Sequence, residues 1–182
     1  MSLPRFSTDS TSNSVLRRPL AEGAAILHGF ALDDATALLQ AVEQIRQQAP
    51  FRNLVTPGGH TMSVAMTNCG SLGWVSDRKG YRYAPLDPQS GRPWPALPRS
   101  FTMLAERAAA ELGFTHYQPE CCLINHYLPD TRLSLHQDRD ENDRIAPIVS
   151  VSLGLPATFL WGGFDRSDKT VRVPLVHGDV VV

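Results

Sequence analysis

From residue 119 onward the chain is a succession of short β-like runs, CCLINHYL, RLSLHQD, PIVSVSLGL, ATFLW, VRVPLV and GDVVV, separated by turn signals. Regular short strands of this kind build a sandwich or a jelly roll. Two helices are expected ahead of them. The first follows Asp33 or Asp34, either of which can cap it; Leu38, Leu39, Val42 and Ile45 form its buried stripe, and Pro50 ends it. The second covers residues 98–112, where Phe101, Leu104, Ala105, Ala108 and Leu112 keep helical spacing and Gly113 occupies the place of a C-cap glycine. The expected fold class is therefore mainly β with flanking helices, an α+β protein.

A chain of 182 residues with 42% hydrophobic residues can bury one substantial core. A single domain over residues 21–182 is expected, behind a flexible tail at 1–20 that is rich in Ser and Thr and poor in patterned apolar residues. Between the helices, PGGHTMSVAMTNCGSLGW alternates poorly, and DRKGYRYAPLDPQSGRPWPALP is dense in Pro, Gly and aromatic residues. Such a stretch suits a surface platform better than a core strand. With 17 basic against 18 acidic residues the net charge is -1, so no global field draws a polyanion and any nucleic-acid contact has to be local. Cys69, Cys121 and Cys122 fit neither a disulfide framework nor a zinc pair, and reduced thiols in a cytoplasmic protein are expected. No signal peptide and no run of about 18 apolar residues stands out, so no membrane role is expected.

The run LSLHQDRD, residues 133–140, needs a chemical explanation. In a strand, Leu133 and Leu135 would share one face while Ser134, His136 and Asp138 share the other. A histidine and an aspartate so placed can grip one metal ion. Iron(II) oxygenases use two histidines and one carboxylate on one side of the metal, leaving positions open for a co-substrate and oxygen. His136 and Asp138 would supply two of the three. A His-x-Asp pair alone is a weak signal; the alternation around it and the β runs after it favour a ligand pair over a surface coincidence.

CLINHYLPDTRLSLHQDRDE, APIVSVSLGLPATFLWGG and HGDVVV, with TPGGHTMSVAMTNCGSLGW upstream, resemble in content and order the bacterial AlkB family of alkylated-DNA repair dioxygenases, over about residues 20–182. The resemblance implies an iron(II)- and 2-oxoglutarate-dependent oxygenase on a double-stranded β-helix, a jelly roll, with residues 51–94 as an N-terminal nucleotide-recognition lid and 119–182 in an incomplete jelly-roll core. It implies oxidative demethylation of bases alkylated on their pairing edge, such as 1-methyladenine and 3-methylcytosine, in single- or double-stranded DNA and also in RNA. Oxygen (O2) and 2-oxoglutarate would be consumed, and succinate, carbon dioxide and formaldehyde released. By the same resemblance His136 and Asp138 are catalytic iron ligands, Asn125 and Tyr127 bind 2-oxoglutarate, Trp74 and Tyr81 enclose the flipped base, and Asp140 and Arg166 lie close to it. Aromatic faces would replace the stacking that an extruded base gives up. An anion at Asp140 would favour a cationic lesion over a neutral base. Arg78, Lys79 and Arg82, with Arg52, could contact a few phosphates. A monomer is expected.

The third iron ligand is expected beyond Val182, because the family pattern runs on past HGDVVV to a second histidine and to arginines that clamp the far carboxylate of 2-oxoglutarate. His177 reads instead as part of a tight turn before a strand. The 182-residue chain is accordingly expected to be truncated, to hold iron weakly and to lack turnover. Two other readings stay open at this point: a non-catalytic nucleic-acid-binding or metal-holding jelly-roll module, and an oxygenase acting on a small molecule.

Overall fold

The computed structural model describes residues 15–138, 143, 145–165 and 167–182. Strand β1 (Leu16–Ala21) pairs antiparallel with β2 (Ala24–His28). Regular structure thus begins at Leu16, inside the stretch read from sequence as a tail, because β2 supplies ladder partners and Leu20 packs beside Ile26 and Val181.

Helix α1 (Ala35–Gln48) buries Ala35, Leu38, Ala41 and Ile45. Leu39, expected in that stripe, is 47% exposed, since small alanines rather than a second leucine face the interior. Asp34 stands at the N-cap but makes no side-chain cap bond; its carboxylate accepts from Arg107 of the second helix instead.

Strand β3 (Arg52–Val55) pairs with β4 (Thr61–Gly70), and a separate hairpin joins β5 (Gly73–Asp77) to β6 (Gly80–Ala84). Helix α2 (Arg99–Glu111) starts after Pro98, and Gly113, at φ 92°, ends it as expected. Strand β7 (Cys121–His126) then pairs antiparallel with the far edge of β4, giving the order β3-β4-β7. The poorly alternating segment is therefore a central strand and not a surface one. Val64, Met66, Thr67, Asn68 and Cys69 are all buried, and a strand covered on both faces has no reason to alternate.

Four short strands follow: β8 (Ser150–Val151), β9 (Ala157–Trp161), β10 (Val171–Leu175) and β11 (Val180–Val181). β9 and β10 form an antiparallel pair, while β11 inserts between β2 and β8 in a sheet of order β1-β2-β11-β8. Successive residues of the central strands face opposite ways. Leu27 and Val180 meet Leu38, Leu104 and Ala108 of the helices on one side, and Ile26 and Val181 meet Val173 and Leu175 of β10 on the other. The result is an α+β fold dominated by antiparallel sheets with flanking helices, consistent with a double-stranded β-helix.

The β5–β6 hairpin is fastened to this body rather than hung from it. Trp94 donates from Nε1 to the Ala84 carbonyl at 2.9 Å and packs in a buried cluster with Ala49 and Val75, and Ser76 Oγ donates to the Val55 carbonyl at 2.7 Å. Gly73 is what lets the indole lie against the strand, because a Cβ there would fall inside the Trp94 ring. Gly73→Ala should cost about 1–3 kcal/mol, the usual range for overpacking a filled site. Urea unfolding monitored by circular dichroism checks this; an unchanged midpoint would show that the hairpin can shift without penalty.

Candidate active site

Residues 131–138, expected as a strand, run as an irregular segment. Side-chain bonds take the place of a ladder there. Ser63 Oγ on β4 donates to the Arg132 carbonyl at 3.1 Å and accepts from the Arg132 N–H at 3.3 Å, while Gln137 Nε2 donates to the Phe164 carbonyl. His136 and Asp138 nevertheless come together, with Nε2 3.6 Å from Oδ1, and both side chains are more than half exposed. His136 Nδ1 lies 2.7 Å from the Ser134 carbonyl oxygen. That oxygen can only accept, so Nδ1 carries a proton and Nε2 is the nitrogen turned toward Asp138. A cation placed between Nε2 and Oδ1 would meet both side chains. A single ion with ligand bonds of about 2.0–2.2 Å can reach both.

His177 is set up the opposite way. Its Nδ1 accepts from the Gly154 N–H at 2.9 Å, so in the neutral ring Nε2 is a donor and offers no lone pair. Among the described residues, no group of three or more His, Cys, Asp or Glu side chains lies close enough to hold a metal ion. The donor set present fits two of the three positions of an iron site.

Asn125 lies on β7 opposite Met66 of β4. Its Oδ1 is buried and, among the described residues, has no hydrogen-bond partner. Leaving such an atom unsatisfied costs about 1–3 kcal/mol, which marks a place where a further group completes the site. The two ends of an amide are assigned by their surroundings, so Asn125 can equally present its NH2 to a carboxylate. Tyr127, two residues on, is about half exposed, and the burial of its phenol pushes its pKa up. The hydroxyl therefore remains a donor at neutral pH. The pair fits an anionic, carboxylate-bearing co-substrate. His126, between them, is exposed and packs against the Phe51 ring.

Trp74 and Tyr81 are diagonal neighbours on one face of the β5–β6 hairpin, with ring centroids 5.5 Å apart and planes 15° from parallel. Stacked ring pairs in direct contact sit about 4.5–7 Å apart, so no base fits between these two. They form one double-layered platform and not the two walls of a slot. Asp140 and Arg166, expected beside the base, lie outside the described residues. Sequence reasoning missed Asn68, buried on β4 and bonded to both backbone groups of Trp74; a lone Asn in a poorly alternating run carries no signal of such a role.

The arginines near the hairpin are largely occupied internally. Arg52 makes a two-pronged bond to Asp87 at 2.6 and 2.8 Å, and Arg82 does the same to Asp77 at 3.0 and 2.8 Å. The Arg82 guanidinium holds the Asp77 carboxyl down at about 2, and Arg52 holds Asp87 far below the usual carboxylate range. Two of the four cations expected to meet phosphate are thus bound to carboxylates, and Arg78 and Lys79, exposed at the hairpin tip, remain the better placed ones. A cavity of about 170 Å³ between Arg52, Met66, Asn68, Trp74 and Asp87 is smaller than the roughly 300 Å³ at which ligand pockets begin.

The profile of the 2OG-Fe(II) oxygenase superfamily matches residues 23–182. The chain is 57% identical over 166 residues to the alpha-ketoglutarate-dependent dioxygenase AlkB of Escherichia coli (strain K12), covering 91% of this chain and 77% of that protein. It is 47% identical over 144 residues to the AlkB homolog of Caulobacter vibrioides (strain NA1000 / CB15N), covering 79% and 64% respectively. The solved structure of OsALKBH1 superimposes with a TM-score of 0.78 at 27% identity, over 91% of this chain and 81% of that one.

The Arg52–Asp87 pair gives stability a pH dependence of definite sign. Asp87 has a depressed pKa, so its contribution is complete above the unfolded-state value of about 4 and is lost as pH falls toward the folded-state value. Asp87→Asn should cost about 1.5–3 kcal/mol at pH 7, as for a charged hydrogen bond, and flatten the acid limb of a stability profile between about pH 4 and pH 2. Urea midpoints measured across that range check it, and parallel profiles for the two proteins would contradict it.

Proposed function

The chain belongs to the 2OG-Fe(II) oxygenase superfamily, and from that premise we propose that it is an AlkB-type dioxygenase that oxidatively demethylates N-alkylated nucleobases. Its substrates are bases of the 1-methyladenine and 3-methylcytosine type in single- or double-stranded DNA, with RNA a further substrate, and it acts as a monomer. Membership implies use of iron(II), 2-oxoglutarate and O2. The observation that carries the site assignment is His136 Nε2 turned toward the Asp138 carboxylate at 3.6 Å while Nδ1 is engaged by the Ser134 carbonyl.

Bound iron(II), with 2-oxoglutarate and O2, supplies the oxidation of the N-methyl carbon while 2-oxoglutarate is decarboxylated to succinate; the hydroxymethyl group leaves as formaldehyde. The residues of the chain hold and orient. His136 and Asp138 bind the metal, and the Ser134 carbonyl keeps the imidazole in the ligating tautomer. Asn125 and Tyr127 hydrogen-bond 2-oxoglutarate, which satisfies the buried amide end. Trp74 stacks on the extruded base and Tyr81 supports the indole from behind. Asp140 and Arg166, which lie outside the described residues, keep the substrate-side roles that the family pattern gives them. Arg78 and Lys79 meet phosphates, which makes affinity salt-sensitive and independent of sequence.

Formaldehyde release from a 3-methylcytosine oligonucleotide with iron(II) and 2-oxoglutarate, measured on protein that carries the complete set of three iron ligands, tests the reading. Asp138→Ala should lose bound iron and bring turnover to background while the thermal unfolding midpoint holds, because an exposed side chain adds little to packing. A variant that keeps iron and turns over normally would remove Asp138 from the site.

Trp74→Ala should weaken binding of the same oligonucleotide by about 1–3 kcal/mol, the range for one base–aromatic stack, and leave 2-oxoglutarate consumption without substrate intact. Equal loss of both would mean that Trp74 supports the fold or the iron site and not the base.

A further inference from the structure

Trp74 is held by one side chain from another sheet. Asn68, 3% exposed, accepts from the Trp74 N–H through Oδ1 at 2.9 Å and donates through Nδ2 to the Trp74 carbonyl at 3.0 Å. Both backbone groups of Trp74 therefore point away from β6, as they do at alternate positions of an antiparallel ladder. At a hairpin edge these groups would otherwise go unpaired or reach water. A single amide, using one N–H as donor and its oxygen as acceptor, replaces a whole strand at that residue.

The placement of Asn68 on β4 gives the contact a meaning beyond packing. Cross-strand partners share a face, so Met66 and Asn125 form one pair and Asn68 and Leu123 the next pair on the same face. Two residues along a strand is about 6.6 Å. The amide that fixes Trp74 is thus one pleat away from the pair that includes the proposed co-substrate amide.

We infer that Asn68 is a positioning residue: it sets the height of the Trp74 platform relative to the oxidation site, and so determines whether 2-oxoglutarate consumption is coupled to demethylation of the base. The inference rests on the reading of Trp74 as the base-stacking residue. Asn68 touches neither base nor co-substrate and acts only through the Trp74 backbone.

The test uses iron-loaded protein that carries the complete set of three iron ligands, with 2-oxoglutarate. Anaerobic titration with a labelled 3-methylcytosine oligonucleotide gives affinity, and aerobic turnover gives the ratio of formaldehyde to succinate. Asn68→Leu should weaken binding about tenfold, the low end for losing one stack, and lower that ratio. The double variant with Trp74→Ala should bind no more weakly than Trp74→Ala alone, since both changes remove one interaction. Asn68→Asp, of the same shape, keeps the acceptor for the Trp74 N–H and turns the donor into a second acceptor. It should fall between parent and Asn68→Leu, and it decides the matter if the leucine variant does not fold. Additive losses in the double variant, or an unchanged formaldehyde-to-succinate ratio in the folded Asn68 variant, would overturn the inference. If Trp74→Ala itself leaves binding untouched, the base-stacking reading fails instead.

Discussion

The antiparallel pairing of β4 with β7 is the contact on which the rest of the site depends. Its register sets Met66 opposite Asn125 and Asn68 opposite Leu123, so one sheet face carries both the proposed co-substrate amide and the amide that fastens the aromatic platform. A slip of one residue would turn every one of these side chains to the other face. Burial on both sides of β4 guards against that slip, because Val64, Met66, Thr67, Asn68 and Cys69 would all have to exchange environments together. Specificity of register and geometry of the site are here one property.

Much of this architecture is legible in the residues. The helical spacing before Gly113 and the short β runs after residue 119 correspond to α2 and to the strands β7 to β11. What misleads is residue patterning where the environment is unusual. β4 does not alternate over residues 64–69 because both faces are covered there, and residues 133–138 alternate without forming a strand, Ser63 binding the Arg132 backbone and Gln137 reaching the Phe164 carbonyl instead. Leu39 keeps the helical period yet faces solvent, since Ala35 and Ala41 take the inward positions. His136 and Asp138 could be singled out because their types and spacing carry chemistry, and Asn125 and Tyr127 through the family resemblance. Asn68 could not, since its role comes from a hydrogen bond to another sheet that no local pattern encodes.

Charge tells a similar story. Counting Arg52, Arg78, Lys79 and Arg82 from the sequence suggests a basic patch, but geometry divides them into two kinds. Arg52 and Arg82 each meet a carboxylate in a two-pronged bond, and such a fork is held by direction as much as by charge. The Asp87 side of the first pair also binds Ser90 Oγ and the Gln89 N–H, so Arg52 ends up bracing the loop next to the hairpin. An arginine committed in this way lends the platform rigidity. Arg78 and Lys79, exposed at the hairpin tip, are the two left for the proposed phosphate contacts.

The proposed iron ligands lie on a segment that carries no strand among the described residues. A ladder would lock each side chain to the pleat of a sheet, whereas this segment is tied through Arg132 and Gln137, and the Ser134 carbonyl orients the ring of His136 from within the segment. A cation held by Nε2 and Oδ1 would cross-link the segment at those two residues. Metal binding would then stabilise residues 131–138 as well as supply the chemistry of the proposed site.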